Sequence, residues 1–298
     1  MFLIVGGDSE IGAAAFRAIK AQGQSAAATT RRRDNVAPDR PFLDLSAPLD
    51  DWTPPRGTQA VCLCAAVARL ADCANDPEGS AYINVVQTLA LAEKLLTRGS
   101  AVLFLSTNQV FDGRTPQQRA DAPHSPTSEY GRQKARAEAA LLRRMDDGAP
   151  VAILRLAKVM SDTMPLLGGW IKDLTAAKPI RAFDDLKLAP TPTDLVCTAI
   201  AALLQDRARG IFQLTGPRDV SYADIGRFLA AYLGVDAKLV TQASAREAGL
   251  PEGATPSNTT LDSSLLRVHY GLEVPDVWDV VERVAINTRS RVASPTNA

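Results

Sequence analysis

The 298 residues carry 33 Lys and Arg against 33 Asp and Glu, so no overall field argues for nucleic acid or an anionic membrane as partner. With 46% apolar and 22% charged residues the composition is globular, enough for one large core or two modest ones. The opening MFLIVGG lacks a basic leader and a small-residue cleavage site, and no apolar run approaches a membrane span, so the protein is read as soluble and cytoplasmic.

Residues 2–5 are a short apolar strand pattern that runs straight into Gly6-Gly7-Asp8-Ser9-Glu10-Ile11-Gly12, after which residues 13–23 read as a helix closed by Gly23. A strand, a glycine turn and a helix N-terminus make a cradle for a pyrophosphate, with free backbone N–H groups and room for close approach. Residues 25–30 read as the second strand and lead into Arg31-Arg32-Arg33, with no acid before Asp34. In a dinucleotide fold an acid at this place favours a free ribose 2′-hydroxyl and an arginine a 2′-phosphate. Arg31, with Arg32 beside it, therefore argues for NADPH over NADH, although NADH stays open. Residues 42–45 look like a short third strand, with Leu45 in the same wall and Asp44 placed to meet the adenine amino group.

Residues 60–66 form a fourth buried strand ending in Cys64, Ala65 and Ala66, small residues suited to a wall against a nicotinamide ribose. Cys62, Cys64, Cys73 and Cys197 show no zinc spacing with one another or with His124 and His269, so they read as buried free thiols and no metal is expected. A long helix pattern at 78–96 carries Asn84 on its inner side, where a structural and a catalytic role are both open. The fifth strand, 101–105, ends in Ser106-Thr107, and Tyr130 and Lys134 follow at the start of an Ala/Arg/Glu-rich helix. Four residues apart, they share one helix face. An ammonium beside a phenol favours the phenolate; lowering a tyrosine by roughly three units takes about 4 kcal/mol of differential interaction. With a hydroxyl from Thr107 or Ser106 to orient it, this is a place to move a proton onto a carbonyl oxygen.

Residues 151–156 supply a sixth strand. Helices follow at 164–176 and 193–204, the latter returning to the first body, then a last strand at 210–215. A helix begins at Ser221 with Asp224 in its first turn and closes at Gly234. Residues 243–262 are a Pro/Gly/Ser-rich loop, 277–287 a final helix, and the tail from 289 to 298 reads as disordered. Strands alternating with helices predict an α/β, Rossmann-type doubly wound parallel sheet with a smaller, irregular C-terminal substrate-binding domain. The expected division is a cofactor-binding domain over 1–160, rejoined by 193–215, and a substrate-binding domain over 161–192 and 216–288.

The cradle at Gly6, the small residues Ala65-Ala66, Ser106-Thr107 and Tyr130-x-x-x-Lys134, in that order, resemble the extended short-chain dehydrogenase/reductase family. STNQVFDG from Ser106 is similar to the STDYVFDG-type segment of its dTDP-4-dehydrorhamnose reductase-like branch. Pro256 followed by Asn258-Thr259-Thr260-Leu261-Asp262 is similar to the P-x-N-[ST]-x-L-D segment of their substrate domains. The resemblance implies Thr107, Tyr130 and Lys134 as the catalytic triad, Gly6, Ser9, Glu10, Ile11 and Gly12 as the pyrophosphate turn, and Arg31 as the 2′-phosphate contact. It further implies NADPH-dependent reduction of a keto group on a nucleotide-linked deoxysugar; the sequence leaves the oligomeric state open, a homodimer being one candidate. Two departures bear on the substrate. Gln109 stands where the relatives commonly have a tyrosine and Lys158 where they have a tryptophan, so both are assigned to the substrate pocket, with Met160 beside them; Lys187 and Arg267 are expected at its nucleotide end. Ser9 replaces a glycine of the turn and is expected to offer its hydroxyl to the pyrophosphate, while Arg155 is read as structural. The alternatives are an NAD(P)-dependent sugar-nucleotide epimerase or dehydratase, and a non-catalytic cofactor-binding regulatory subunit.

Overall fold

The apolar runs at residues 2–5, 60–63, 101–107 and 151–156 become strands whose alternate residues enter two different cores. In the computed structural model, which describes residues 1–162, 164–251 and 253–293, the chain opens with β1 (Phe2–Val5), α1 (Glu10–Ala21), β2 (Ala26–Ala28) and β3 (Ala60–Leu63). Short helices α2 (Leu70–Asn75) and α3 (Pro77–Ala81) lead through a π-helical stretch (Tyr82–Gln87) into α4 (Thr88–Leu96), followed by β4 (Ala101–Thr107), α5 (Glu129–Asp146) and β5 (Val151–Leu156). Much later come α7 (Thr193–Gln205) and β10 (Gly210–Leu214). The six strands form one parallel sheet in the order β10-β5-β4-β3-β1-β2. Ile4, Cys62, Leu103 and Leu154 point to α1 and α7, which add Ile19, Val196 and Ile200. Leu3, Val5, Val61, Phe104 and Ile153 point the other way, to Leu91 and Leu95 of α4 and Leu141 of α5. Both faces are covered, which is why these strands read as unbroken apolar runs. The doubly wound parallel sheet is therefore as expected.

The strand expected over 42–45 does not form. Phe42 makes a single parallel bridge to Thr30, and the chain then turns because the Asp44 carboxylate accepts from both the N–H and the hydroxyl of Ser46. A side chain that captures its own backbone two residues on ends the extended run. The helix expected over 78–96 is likewise interrupted. Asn84, buried in the π-helical stretch, accepts from the Val67 N–H and donates to the Val67 carbonyl and to Gln133 Oε1. From this widened turn it ties the loop after β3 to α5, which is a structural role.

A second core lies between β5 and the C-terminus. It comprises β6 (Val159–Met160), α6 (Pro165–Thr175), β7 (Ile180–Phe183), β8 (Lys187–Leu188), β9 (Thr191–Pro192), β11 (Val220–Ser221), α8 (Tyr222–Leu233), β12 (Val240–Ala243) and α10 (Val277–Ala293), with α9 (Ser264–Tyr270) packed instead on the main sheet. The three pairings here are two-stranded ribbons, β6 with β9, β7 with β12 and β8 with β11. Leu167, Trp170, Ile225, Leu229, Val277 and Val281 fill the space between helices. Ser221 and Asp224 form a reciprocal capping box, and Gly234 closes α8 in the left-handed conformation. The final helix runs to Ala293, past the expected 287; of the expected tail, residues 294–298 lie outside those described.

One buried ion pair ties the halves of the main sheet to the helix that carries the site. Arg155, on β5, donates to Glu138 of α5 at 2.6 Å, and also to the Ala120 carbonyl and to Gln213 of β10. Both charged side chains are essentially inaccessible, and Phe111 lies 4.9 Å under the guanidinium. Burial pushes the Glu138 carboxyl up, but His124 and Arg155 outweigh it and hold it below the ordinary range. Arg155→Met should cost about 3–5 kcal/mol, because it strands a buried carboxylate. Urea unfolding of the variant checks this. A depressed carboxyl stabilises above its unfolded value and loses that contribution as pH falls through the folded one, so the wild type should lose stability on acidification more steeply than the variant.

Candidate active site

The carboxyl ends of β1, β3, β4 and β5 open into a cleft of about 590 Å³, and its floor continues into a second pocket of about 240 Å³ at the ends of β1 and β2. Ligands in open α/β sheets sit in such a place. Gly6 has φ +94°, and a Cβ there would lie 2.7 Å from the Ala65 backbone nitrogen, so only glycine lets the turn touch the end of β3. Ser9 caps α1: its hydroxyl donates to the Gly6 carbonyl at 2.7 Å and accepts from the Gly12 N–H. The proton expected to face a pyrophosphate is thus spent on the turn, and what faces the cleft is the first turn of α1. Among the described residues the N–H groups of Glu10 and Ile11 have no partner within the chain, and both residues line the cleft. A cradle with free N–H groups at a helix start fits a dinucleotide pyrophosphate.

The smaller pocket is bordered by Arg31, Arg32, Asp44, Leu45, Ala65 and Ala66, all assigned from the sequence to the cofactor. Asp44 keeps one oxygen for Ser46, whose two hydrogen bonds hold its carboxyl low, helped by Arg31 and Arg33 against slight burial. Arg33 instead lies over the Phe42 ring. One residue missed from sequence is Asp8. It occupies the third position of the glycine turn, yet its carboxylate crosses to β2 and bonds the Thr30 hydroxyl, the Arg31 N–H and Arg40. The only signal was an acid inside a glycine turn adjacent in the sheet to β2.

The chemical corner is built by β4 and α5. Ser128 caps α5, accepting from the Gly131 N–H and donating to Gln109 Oε1. A Cβ on Gly131 would collide with the Gln109 carbonyl, so the helix start can press against the turn after β4. Ser106, Thr107, Gln109, Tyr130 and Lys134 line the same cleft, together with Cys64 and Ala66 from the end of β3 and Lys158 from the segment after β5. Thr107 Oγ1 accepts from the Gln109 N–H at 3.2 Å and donates a long hydrogen bond of 3.4 Å to Asn108 Oδ1. Lys134 is buried with its ammonium 3.8 Å from the Phe104 ring centroid. Burial lowers its pKa to about 8 against the pull of the Glu138 charge. Tyr130 differs from expectation. Burial pushes its phenol up, with a small contribution from Cys73, and Lys134 is not among the charges acting on it in the ligand-free protein. Lys187 and, unforeseen, Tyr222 complete the far wall. Arg267 does not join them; it borders a separate depression with Gln117 and Asp262, because α9 packs on the outer edge of the sheet.

A family model described as RmlD substrate binding domain matches residues 1–289. The probable low-salt glycan biosynthesis reductase Agl14 of Haloferax volcanii is 29% identical over 224 residues, covering 72% of this chain and 73% of that protein. Methionine adenosyltransferase 2 subunit beta of Xenopus laevis is 26% identical over 242 residues, covering 74% and 67%. The fold is shared with dTDP-4-dehydrorhamnose reductase of Bacillus anthracis in complex with NADP, at TM-score 0.78, 16% identity, and 96% and 97% coverage. It is shared equally with Thermus thermophilus UDP-glucose 4-epimerase in complex with NAD, at TM-score 0.78, 20% identity, and 97% and 98% coverage.

A lysine whose folded pKa is about 8, below its ordinary 10.5, binds fewer protons folded than unfolded between those values. Stability should therefore rise as pH climbs through that window. Lys134→Met removes the cost of burying the charge and should stabilise the ligand-free protein below pH 8 by up to about 3 kcal/mol, a gain that vanishes above pH 10.5. Thermal melts of both proteins across this range check the sign.

Proposed function

The chain belongs to the RmlD substrate binding domain family, the dTDP-4-dehydrorhamnose reductase-like branch of the NAD(P)-dependent extended short-chain dehydrogenase/reductases, and from that premise we propose that it reduces the keto group of a nucleotide-linked deoxysugar, using NADPH with NADH as the alternative. The observation that carries the reading is the convergence of Thr107, Tyr130 and Lys134 on one cleft that continues past the free N–H groups of α1 into the pocket of Arg31 and Arg32.

Gly6, Glu10, Ile11 and Gly12 would hold the pyrophosphate, Arg31 and Arg32 the adenosine end, and Cys64 and Ala66 the wall beside the ribose. When bound, the reduced nicotinamide supplies the hydride for the carbonyl carbon. The chain's own part is proton transfer and orientation. Thr107 turns its hydroxyl from the long hydrogen bond to Asn108 onto the carbonyl oxygen, fixing it beside Tyr130. Tyr130, kept protonated by burial, gives its phenolic proton to that oxygen as negative charge develops there. The phenolate left behind is a buried anion, and the Lys134 ammonium one helical turn away is the cation that stabilises it. Gln109, Lys158, Lys187 and Tyr222 make a polar, cationic wall for the substrate, matched to an anionic nucleotide sugar.

Tyr130→Phe should lower kcat by about 10²–10⁴-fold while leaving the cofactor Kd within about threefold. Consumption of NADPH absorbance against a panel of dTDP- and UDP-keto-sugars measures it. A second reading, a cofactor-binding regulatory subunit, is favoured by the likeness to methionine adenosyltransferase 2 subunit beta. Tight cofactor binding with no turnover on any member of the panel would select it over the reductase.

A further inference from the structure

The sequence offers no acid at the end of β2, yet the fold delivers one there from the opposite side. Asp8 Oδ2 accepts from the Arg31 backbone N–H at 3.1 Å and from the Thr30 hydroxyl at 2.8 Å, while Oδ1 accepts from Arg40 Nη2 at 2.7 Å. Those donors come from β2's end and from the segment beyond it, so the carboxylate cannot swing away without breaking all of them. Its side chain is 16% exposed, and it borders the small pocket together with Arg31, Arg32 and Asp44. A carboxylate has about four acceptor sites, so three donors leave room for one more. In a dinucleotide fold the end of β2 is where the adenosine 2′ position is read, hydroxyl by an acid and phosphate by arginine. Both kinds of reader are present here.

We propose that Asp8 is a specificity-determining residue: it accepts a hydrogen bond from the 2′-hydroxyl of NADH and opposes the 2′-phosphate of NADPH. The choice of cofactor is then a contest between Asp8 and the exposed pair Arg31 and Arg32. The inference rests on the nicotinamide reading of the site. Arg40 is part of the same device. It reaches Asp8 through one terminal nitrogen, while its Nε is buried without a partner among the described residues. It therefore offsets the Asp8 charge without saturating the carboxylate, and its removal exposes a phosphate to the full charge.

Two substitutions push the contest in opposite directions. In fluorescence titrations with NADPH and NADH, Asp8→Asn should raise the ratio Kd(NADH)/Kd(NADPH) by about tenfold or more, the equivalent of one charged hydrogen bond lost and one repulsion relieved. Arg40→Gln should lower the same ratio by weakening NADPH alone. Equal losses for both nucleotides in each variant would overturn the inference, showing that Asp8 only shapes the turn. If Asp8→Asn does not fold, the Arg40→Gln ratio decides by itself: a fall supports the inference and an unchanged ratio overturns it. Failure of the wild type to bind either nucleotide would bring down the cofactor reading and this inference together, whereas an unmoved ratio in proteins that bind both removes only the role of Asp8.

Discussion

The buried pairing of Glu138 with Arg155 is the interaction on which the rest depends. Tyr130, Lys134 and Glu138 follow one another at helical spacing along the inner face of α5, so the pair beneath fixes the height and rotation of the groups above it. Its electrostatic effect is as important as its geometric one. Glu138 is the largest charge opposing the burial of Lys134, and Glu138 itself is held ionised by Arg155 and His124. Without that chain of charges, an ammonium under the Phe104 ring would give up its proton more readily. A well-packed hydrophobic replacement of the pair can hold the helix as firmly, but it leaves Lys134 without its counter-charge.

The loops at the sheet's carboxyl edge follow a second constraint, that each is pinned by its own short polar side chains. Ser9 closes the turn before α1, Asp44 the bend that replaces a third strand, Asn84 the junction of β3, α4 and α5, and Ser128 the start of α5. Loops tied internally leave backbone N–H groups and long charged side chains free to face a ligand. Ser9 shows the cost of the arrangement, since a hydroxyl committed to the turn is not available to a phosphate.

Charge is distributed along the cleft accordingly. The larger cleft shows Lys158 and Lys187 with Glu10 at the start of α1, while the smaller pocket mixes Arg31 and Arg32 with Asp8 and Asp44. A polyanionic ligand drawn in by the first end meets both signs at the second. Discrimination is easier there than at the pyrophosphate, where backbone groups bind every dinucleotide alike.

The doubly wound sheet, the glycine turn and the placing of Tyr130 and Lys134 on one helix face were legible in the sequence because each rests on local periodicity: unbroken apolar runs for strands covered on both faces, a strand running into glycines and a helix, and two residues one helical turn apart. The strand expected at 42–45 was not separable from an apolar loop, because the choice lay in the hydrogen bonds that Ser46 donates to Asp44 rather than in hydrophobicity. Arg267 could be placed only once α9 was known to pack on the sheet's outer edge. The pKa of Tyr130 depends on how much water the folded cleft admits, and the acid at the end of β2 arrives through space from Asp8, which lies 22 residues before Thr30 in the chain. Local patterns fix which groups the chain possesses and which elements bear them; desolvation and contacts between distant segments, which only the packed structure creates, decide what those groups can do.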